Sequence, residues 1–174
     1  MNHGDHVRLL RPGIAQPGGI WADLGAGSGA FTLALAELLG AGGIIHAVDR
    51  DRRALDQLAR ALRAAYPGVD LHLRVADFTQ TLPLPPLDGI VMANSLHFVE
   101  AKGAVLAQVR GSLRAGGRLV VVEYNTDRGN RWVPFPFSFA TWQSLARQAG
   151  FAHTELLATH PSSFLGEFYA AASW

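Results

Sequence analysis

The chain has 174 residues, 49% of them hydrophobic and 17% charged, enough to bury the core of one domain. Fifteen Lys+Arg against fourteen Asp+Glu give a formal charge of +1, and no basic run occurs, so a nucleic-acid partner is not expected. The absence of cysteine excludes disulfides, thiolate metal sites and cysteine nucleophiles, while the polar start and the lack of a long apolar stretch point to a cytoplasmic chain without a membrane span.

Strand and helix patterns alternate along the chain at βαβ spacing. Residues 1–18 read as an N-terminal segment able to act as a partial lid, followed by a first strand over Ile20–Asp23. A helix is expected over Ala30–Leu39, ended by Gly40-Ala41-Gly42-Gly43, and a buried strand over Ile44–Asp49. Asp51 can cap a helix over Arg52–Ala65. Val69–Val75 alternates apolar and polar as a half-exposed strand does, whereas Gly89–Ala93 is apolar throughout, the pattern of a central parallel strand. A helix over Gly103–Leu113 stops at Ala115-Gly116-Gly117, before a fifth strand over Arg118–Tyr124. The last helix spans Ser138–Ala149, and two strand-like runs, Thr154–Ala158 and Gly166–Ala172, follow with only a short loop between them. That spacing makes an antiparallel hairpin at the edge of an otherwise parallel sheet.

The most informative segment is Asp23-Leu24-Gly25-Ala26-Gly27-Ser28-Gly29, where a strand ends on a carboxylate and opens into three alternating glycines. Positions without Cβ let the backbone turn sharply and approach a ligand, and amides at the following helix start can point toward it. Glycine alternation alone fits an ordinary βα turn or a dinucleotide site equally well. Asp23 discriminates: a carboxylate before the loop repels pyrophosphate but suits a cationic ammonium or sulfonium.

Taken together, these residues resemble the class I S-adenosylmethionine-dependent methyltransferases along nearly the whole chain. The resemblance implies an α/β fold, a doubly wound seven-stranded sheet of order 3-2-1-4-5-7-6 with its last strand antiparallel and helices on both faces. It implies S-adenosylmethionine as cofactor and S-adenosylhomocysteine as product. Asp23, Gly25, Ala26, Gly27 and Gly29 correspond to the loop that holds the methionine part. Asp49 of Ala47-Val48-Asp49, with Arg50 beside it, resembles the acidic position that accepts the ribose hydroxyls, and Asp77-Phe78 the pair at the adenine. Asn94 and Ser95, opening Asn94-Ser95-Leu96-His97, resemble the motif beside the reacting methyl group. Each of these groups lies at the carboxyl end of a parallel strand, where such sheets bind ligands.

Other readings of the same residues stand beside these. Asp49 can belong to a surface turn, and Asp77 can be a turn acid bonded to its own backbone. His97 can be a packed ring or a general base, with Glu123 as the alternative base; Tyr124 and Asn94 sit at neighbouring strand ends. The loop 125–137, carrying Trp132, Phe135 and Phe137, can line an apolar acceptor pocket, cover the sheet edge or form a homodimer contact. No histidine spacing suggests a metal.

Methyl transfer from a sulfonium is an in-line displacement at an activated carbon, so positioning and exclusion of water carry much of the rate, and a base matters only for a protonated acceptor. Ala93-Asn94-Ser95-Leu96 lacks the Asn-Pro-Pro or Asp-Pro-Pro of adenine and glutamine N-methylation. Without cysteine, cytosine-C5 and arsenite chemistry fail, and Lys102, the only lysine, cannot build a Lys-Asp-Lys-Glu tetrad. A small-molecule acceptor, through oxygen or nitrogen, is what remains. Gly25-x-Gly27-x-x-Ala30 also satisfies the pattern of a nicotinamide-dependent oxidoreductase, against which stand Asp23 and the terminal hairpin; a cofactor-binding partner domain without catalysis is the third reading.

Overall fold

The apolar runs pair side by side. The computed structural model describes residues 1–174 and places the strands in one seven-stranded sheet, β3-β2-β1-β4-β5-β7-β6. These are β1 Ile20–Leu24, β2 Ile44–Asp49, β3 Asp70–Val75, β4 Leu87–Ala93, β5 Leu113–Tyr124, β6 Thr154–Ser162 and β7 Gly166–Ser173. Strands β1 to β5 run parallel, and β7 is antiparallel to both β5 and β6. The order reverses between β1 and β4, whose carboxyl ends therefore splay apart and open a crevice.

Alternate residues of the central strands feed two apolar layers, as a sheet covered on both faces requires. Val120 and Val122 of β5 pack on one side with α1 (His3–Leu10), α2 (Ala30–Leu39) and α3 (Arg52–Ala65). Leu119 and Val121 pack on the other with α4 (Lys102–Ser112) and α5 (Phe139–Gln148). Asp51 caps α3 through the amides of Arg53 and Ala54, and Ser138 caps α5 through that of Thr141. No helix is long and apolar enough to cross a membrane.

Strand β4 starts two residues earlier than expected and β6 runs on to Ser162 instead of ending at Ala158, and two elements depart further from the sequence expectation. The segment before β1 folds its start into α1, whose Asn2 and Asp5 form a reciprocal capping box. Strand β5 begins at Leu113 rather than Arg118: Leu87 pairs with Leu113 and Gly89 with Arg118, so the glycines 116 and 117 bulge within the strand instead of preceding it.

Candidate functional site

The turn from β1 into α2 is pinned to its neighbours before any ligand is considered. The amides of Gly25 and Ala26 donate to the Val48 carbonyl at 2.9 and 3.1 Å. Gly25, Gly27 and Gly29 all have positive φ, at 87°, 53° and 97°, but for different reasons. A Cβ on Gly25 would lie 2.4 Å from Ser95 Cβ, and one on Gly29 2.3 Å from Leu58 Cδ1, so these two glycines allow close packing. A Cβ on Gly27 would meet nothing within 4 Å and would project into the crevice. Gly27→Ala is therefore expected to cost only the left-handed backbone strain, about 1–2 kcal/mol, yet to impair ligand binding; Gly25→Ala should lose stability first. Thermal melts paired with calorimetric titration of S-adenosylhomocysteine separate the two.

Asp23, 1% exposed, ends β1 beneath this loop and accepts a 2.6 Å hydrogen bond from the Thr32 hydroxyl on α2. Burial pushes its carboxyl up from 3.8 to about 7; the Thr32 bond opposes this and the nearby charge of Asp49 adds to it. A folded-state value above the unfolded one means that the folded chain holds the proton more tightly, so the contribution of this group to stability is fully present below about pH 4 and is lost as pH rises to about 7. Over that window the loss amounts to about 4 kcal/mol, which Asp23→Asn should remove in the ligand-free protein. A cationic ligand binds the ionised form, so its affinity should fall by up to about tenfold per pH unit below 7 and level off above it. Isothermal titration across pH 5.5–8.5 in buffers of differing ionisation enthalpy measures both the affinity and the released proton.

At the end of β2, Asp49 Oδ2 accepts from the Gly27 amide at 2.7 Å and Oδ1 from the Asp51 amide at 2.8 Å. Each oxygen keeps a second lone pair. Past β3, Asp77 adopts the turn-acid arrangement. Its Oδ1 accepts from the Thr79 amide and hydroxyl at 2.9 and 2.7 Å, which with the amide bond as the larger cause holds its carboxyl below the usual value, and Oδ2 faces the Arg50 guanidinium at 3.5 Å. Phe78, not Asp77, lines the crevice here, together with Arg50.

After β4, Asn94 takes φ 51°, the one non-glycine residue in the left-handed region, and its side-chain Oδ1 is buried without a partner. An acceptor with no protein partner, on a strained backbone at the crevice, is placed to accept from a ligand donor. Ser95 instead ties the two strand ends together, its hydroxyl donating to the Leu24 carbonyl at 2.7 Å. Two cavities meet here. One, about 280 Å³, is lined by Asp23, the glycine loop and Asn94, with Met1 and His6 of the N-terminal segment above; the other, about 180 Å³, by Asp49, Arg50, Phe78 and Phe98. They share Gly25 and Asn94 and so form one crevice. Its polar groups fit an adenosyl amino acid: buried acid and orphan amide oxygen for an ammonium, the Asp49 carboxylate for a diol, the Phe78 ring for a base.

Beyond Asn94, His97 lies in a 3-10 turn, Leu96–Phe98, and its Nδ1 is 2.6 Å from Glu123 Oε2. The amides of Leu96 and His97 donate to Glu123 Oε1 at 3.0 and 3.3 Å. Glu123 is wholly buried with both oxygens engaged, so it cannot itself reach an acceptor, which corrects its reading as an alternative base. The ring of His97 is thus held by a carboxylate rather than by a backbone carbonyl. A neutral ring donating from Nδ1 carries its free lone pair on Nε2, which has no hydrogen-bond partner in the protein and belongs to a ring only 3% exposed behind Phe98. The loop 125–137 is fastened over this turn, because the Phe135 amide donates to the His97 carbonyl and Lys102 Nζ donates to the carbonyls of Phe135 and Val99.

A family model described as a methyltransferase domain matches residues 22–119, more than half of the chain. The chain belongs to the methyltransferase domain family. Solved structures share the methyltransferase architecture: a candidate O-methyltransferase of Nostoc punctiforme (TM-score 0.78, 18% identity, 99% of this chain and 56% of that one) and the YcgJ protein of Bacillus subtilis (0.77, 13%, 98% of each). The N-terminal domain of EvdMO1, solved with S-adenosylhomocysteine bound, matches 99% of this methyltransferase-domain chain and 72% of its own at TM-score 0.74 and 17% identity. The chain thus spans little more than half of the Nostoc protein and almost all of the Bacillus one. No protein of curated function matches the sequence. The family and the shared fold support S-adenosylmethionine as cofactor of this methyltransferase domain and displace the oxidoreductase reading.

Two residues of the site carry no sequence motif. Thr32 stands one turn into α2, and Phe98 follows the histidine; only the fold brings Thr32 to Asp23 and Phe98 to the crevice.

Proposed function

We propose that this domain transfers a methyl group from S-adenosylmethionine to an oxygen or nitrogen of a small-molecule acceptor, with His97 as general base. The observation that carries the reading is the 2.6 Å contact between His97 and buried Glu123, one chain neighbour away from the crevice-lining Phe98. The bound cofactor supplies a carbon already activated by positive sulfur. Asp23, Asn94 and Asp49 orient it, and the glycine loop admits its approach. Residues 1–18 act as a partial lid, since Met1 and His6 stand over the cavity. The acceptor enters beside the turn 96–98, where His97 Nε2 takes the proton that the acceptor loses as its new bond to carbon forms.

Incubating the protein with methyl-deuterated S-adenosylmethionine and a cell-extract metabolite pool, followed by mass spectrometry, tests this directly. A labelled product accompanied by S-adenosylhomocysteine is expected. Micromolar cofactor binding with no labelled product from any pool would leave only a cofactor-binding partner domain.

A further inference from the structure

The exposed large apolar side chains of this chain are sorted by type. The aliphatic ones are scattered, with Leu73 and Val75 on the edge strand β3 and Leu156 on β6. The aromatic ones gather at one place: Phe98 is 57% exposed, Trp132 68%, Phe164 50% and Phe135 37%, and all lie around the turn that holds His97. Ring centroids form a continuous series. Trp132 meets Phe164 edge to face at 6.3 Å, Phe164 meets Tyr124 at 5.9 Å, Tyr124 meets His97 at 6.3 Å, and His97 meets Phe98 at 4.4 Å. Phe98 closes the series on the crevice. Phe98 comes from the turn 96–98, Tyr124 from the end of β5, Trp132 from the 125–137 loop and Phe164 from the β6–β7 hairpin, so four separate segments supply the wall.

Single exposed apolar residues are ordinary on a protein surface, but a contiguous ring cluster that runs past the nearly buried His97 to the crevice has the composition of a recognition surface. Trp132–Phe164 and Phe164–Tyr124 meet edge to face and the two contacts of His97 are tilted, so none of the rings is covered by parallel stacking; another flat ring gains from such uncovered faces and edges beyond the area it buries, and a saturated skeleton gains only the area. We infer that the acceptor of this domain is a planar aromatic molecule bearing the reactive hydroxyl or amine, held between Phe98, Tyr124, Phe164 and Trp132 with that group presented to His97. The inference rests on the methyl-transfer reading for the chemistry, and on the ring wall alone for the molecule's shape.

The test compares 1-naphthol with its saturated counterpart decahydro-1-naphthol by calorimetry, with and without S-adenosylhomocysteine. The aromatic alcohol is expected to bind at least about tenfold more tightly, and Trp132→Ala and Phe164→Ala are each expected to weaken it by about three- to tenfold while leaving S-adenosylhomocysteine affinity unchanged. Equal binding of the two alcohols, or naphthol affinity indifferent to both variants, overturns the inference. So does sedimentation showing a dimer that both variants convert to monomer without altering naphthol binding, since the rings would then serve a second copy of the chain. Failure of S-adenosylhomocysteine to bind, with the preference for the aromatic alcohol intact, counts against the methyl-transfer reading and not against the wall.

Discussion

Replacing Asp49 by alanine should weaken S-adenosylhomocysteine binding by one to two orders of magnitude and lower the thermal midpoint by a few degrees. Two distinct consequences follow because the carboxylate has two sets of partners. Toward the protein it accepts from the amides of Gly27 and Asp51, at 2.7 and 2.8 Å, and so fastens the tip of the glycine loop to the end of β2. Toward the crevice its remaining lone pairs face the space that a ribose diol would fill. Charge-assisted bonds contribute roughly 1.5–3 kcal/mol, which is the stated loss of affinity, and a change of about 1 kcal/mol moves the midpoint of a domain this size by about 2–4 °C. Asp49→Asn refines the comparison. Its amide group has one acceptor oxygen and one donor nitrogen, so either Gly27 or Asp51 loses its partner, and affinity should fall between wild type and the alanine variant. Calorimetry that shows a lower midpoint but unaltered affinity would reduce Asp49 to a clamp for the loop and remove it from the cofactor site.

The parts of this molecule legible in its sequence are those governed by neighbours along the chain. Helix α3 was bounded by Asp51 at its start, and α2 by glycines at both ends, because caps act over three or four residues. The antiparallel edge followed from the hairpin spacing, whereas the full strand order was implied by the family resemblance alone. Helix α1 is not legible in the sequence because Gly4 and the polar residues of its first turn mask a short amphipathic pattern, although Asn2 and Asp5 stand at capping-box spacing. Nor is the early start of β5, because consecutive glycines serve a bulge as well as a turn. The roles within the site depend on pairings across the sheet. His97 and Glu123 are both visible as titratable residues at strand ends, yet only the parallel register of β4 on β5, Ala93 beside Val122, shows that one occupies the other completely. Phe164 sits in a hairpin loop with no motif, and its approach to Tyr124 and Trp132 is a product of the β5–β7 pairing.

That buried pair sets the second large effect. Glu123→Gln should lower turnover by about 10²–10⁴-fold, the range that general-base catalysis contributes, with S-adenosylhomocysteine affinity unchanged. The substitution is nearly isosteric, and the glutamine oxygen can still accept from the amides of Leu96 and His97, now 3.0 and 3.3 Å from Glu123 Oε1. Its amide nitrogen is then left facing His97 Nδ1, where the carboxylate accepts a hydrogen bond at 2.6 Å. A donor opposite Nδ1 forces the ring to accept there, which moves its single proton to Nε2 and removes the lone pair that would deprotonate an acceptor. A carboxylate also stabilises the imidazolium that forms during proton transfer, and an amide does not. Glu123→Ala is the less informative variant, because it strands three buried N–H donors and would unfold the chain before reporting on catalysis. Measured together, turnover, S-adenosylhomocysteine affinity and thermal midpoint separate the possibilities: turnover preserved at a reduced midpoint would make His97 a packed residue held by a structural carboxylate, whereas turnover lost at constant affinity requires the nitrogen that Glu123 leaves free.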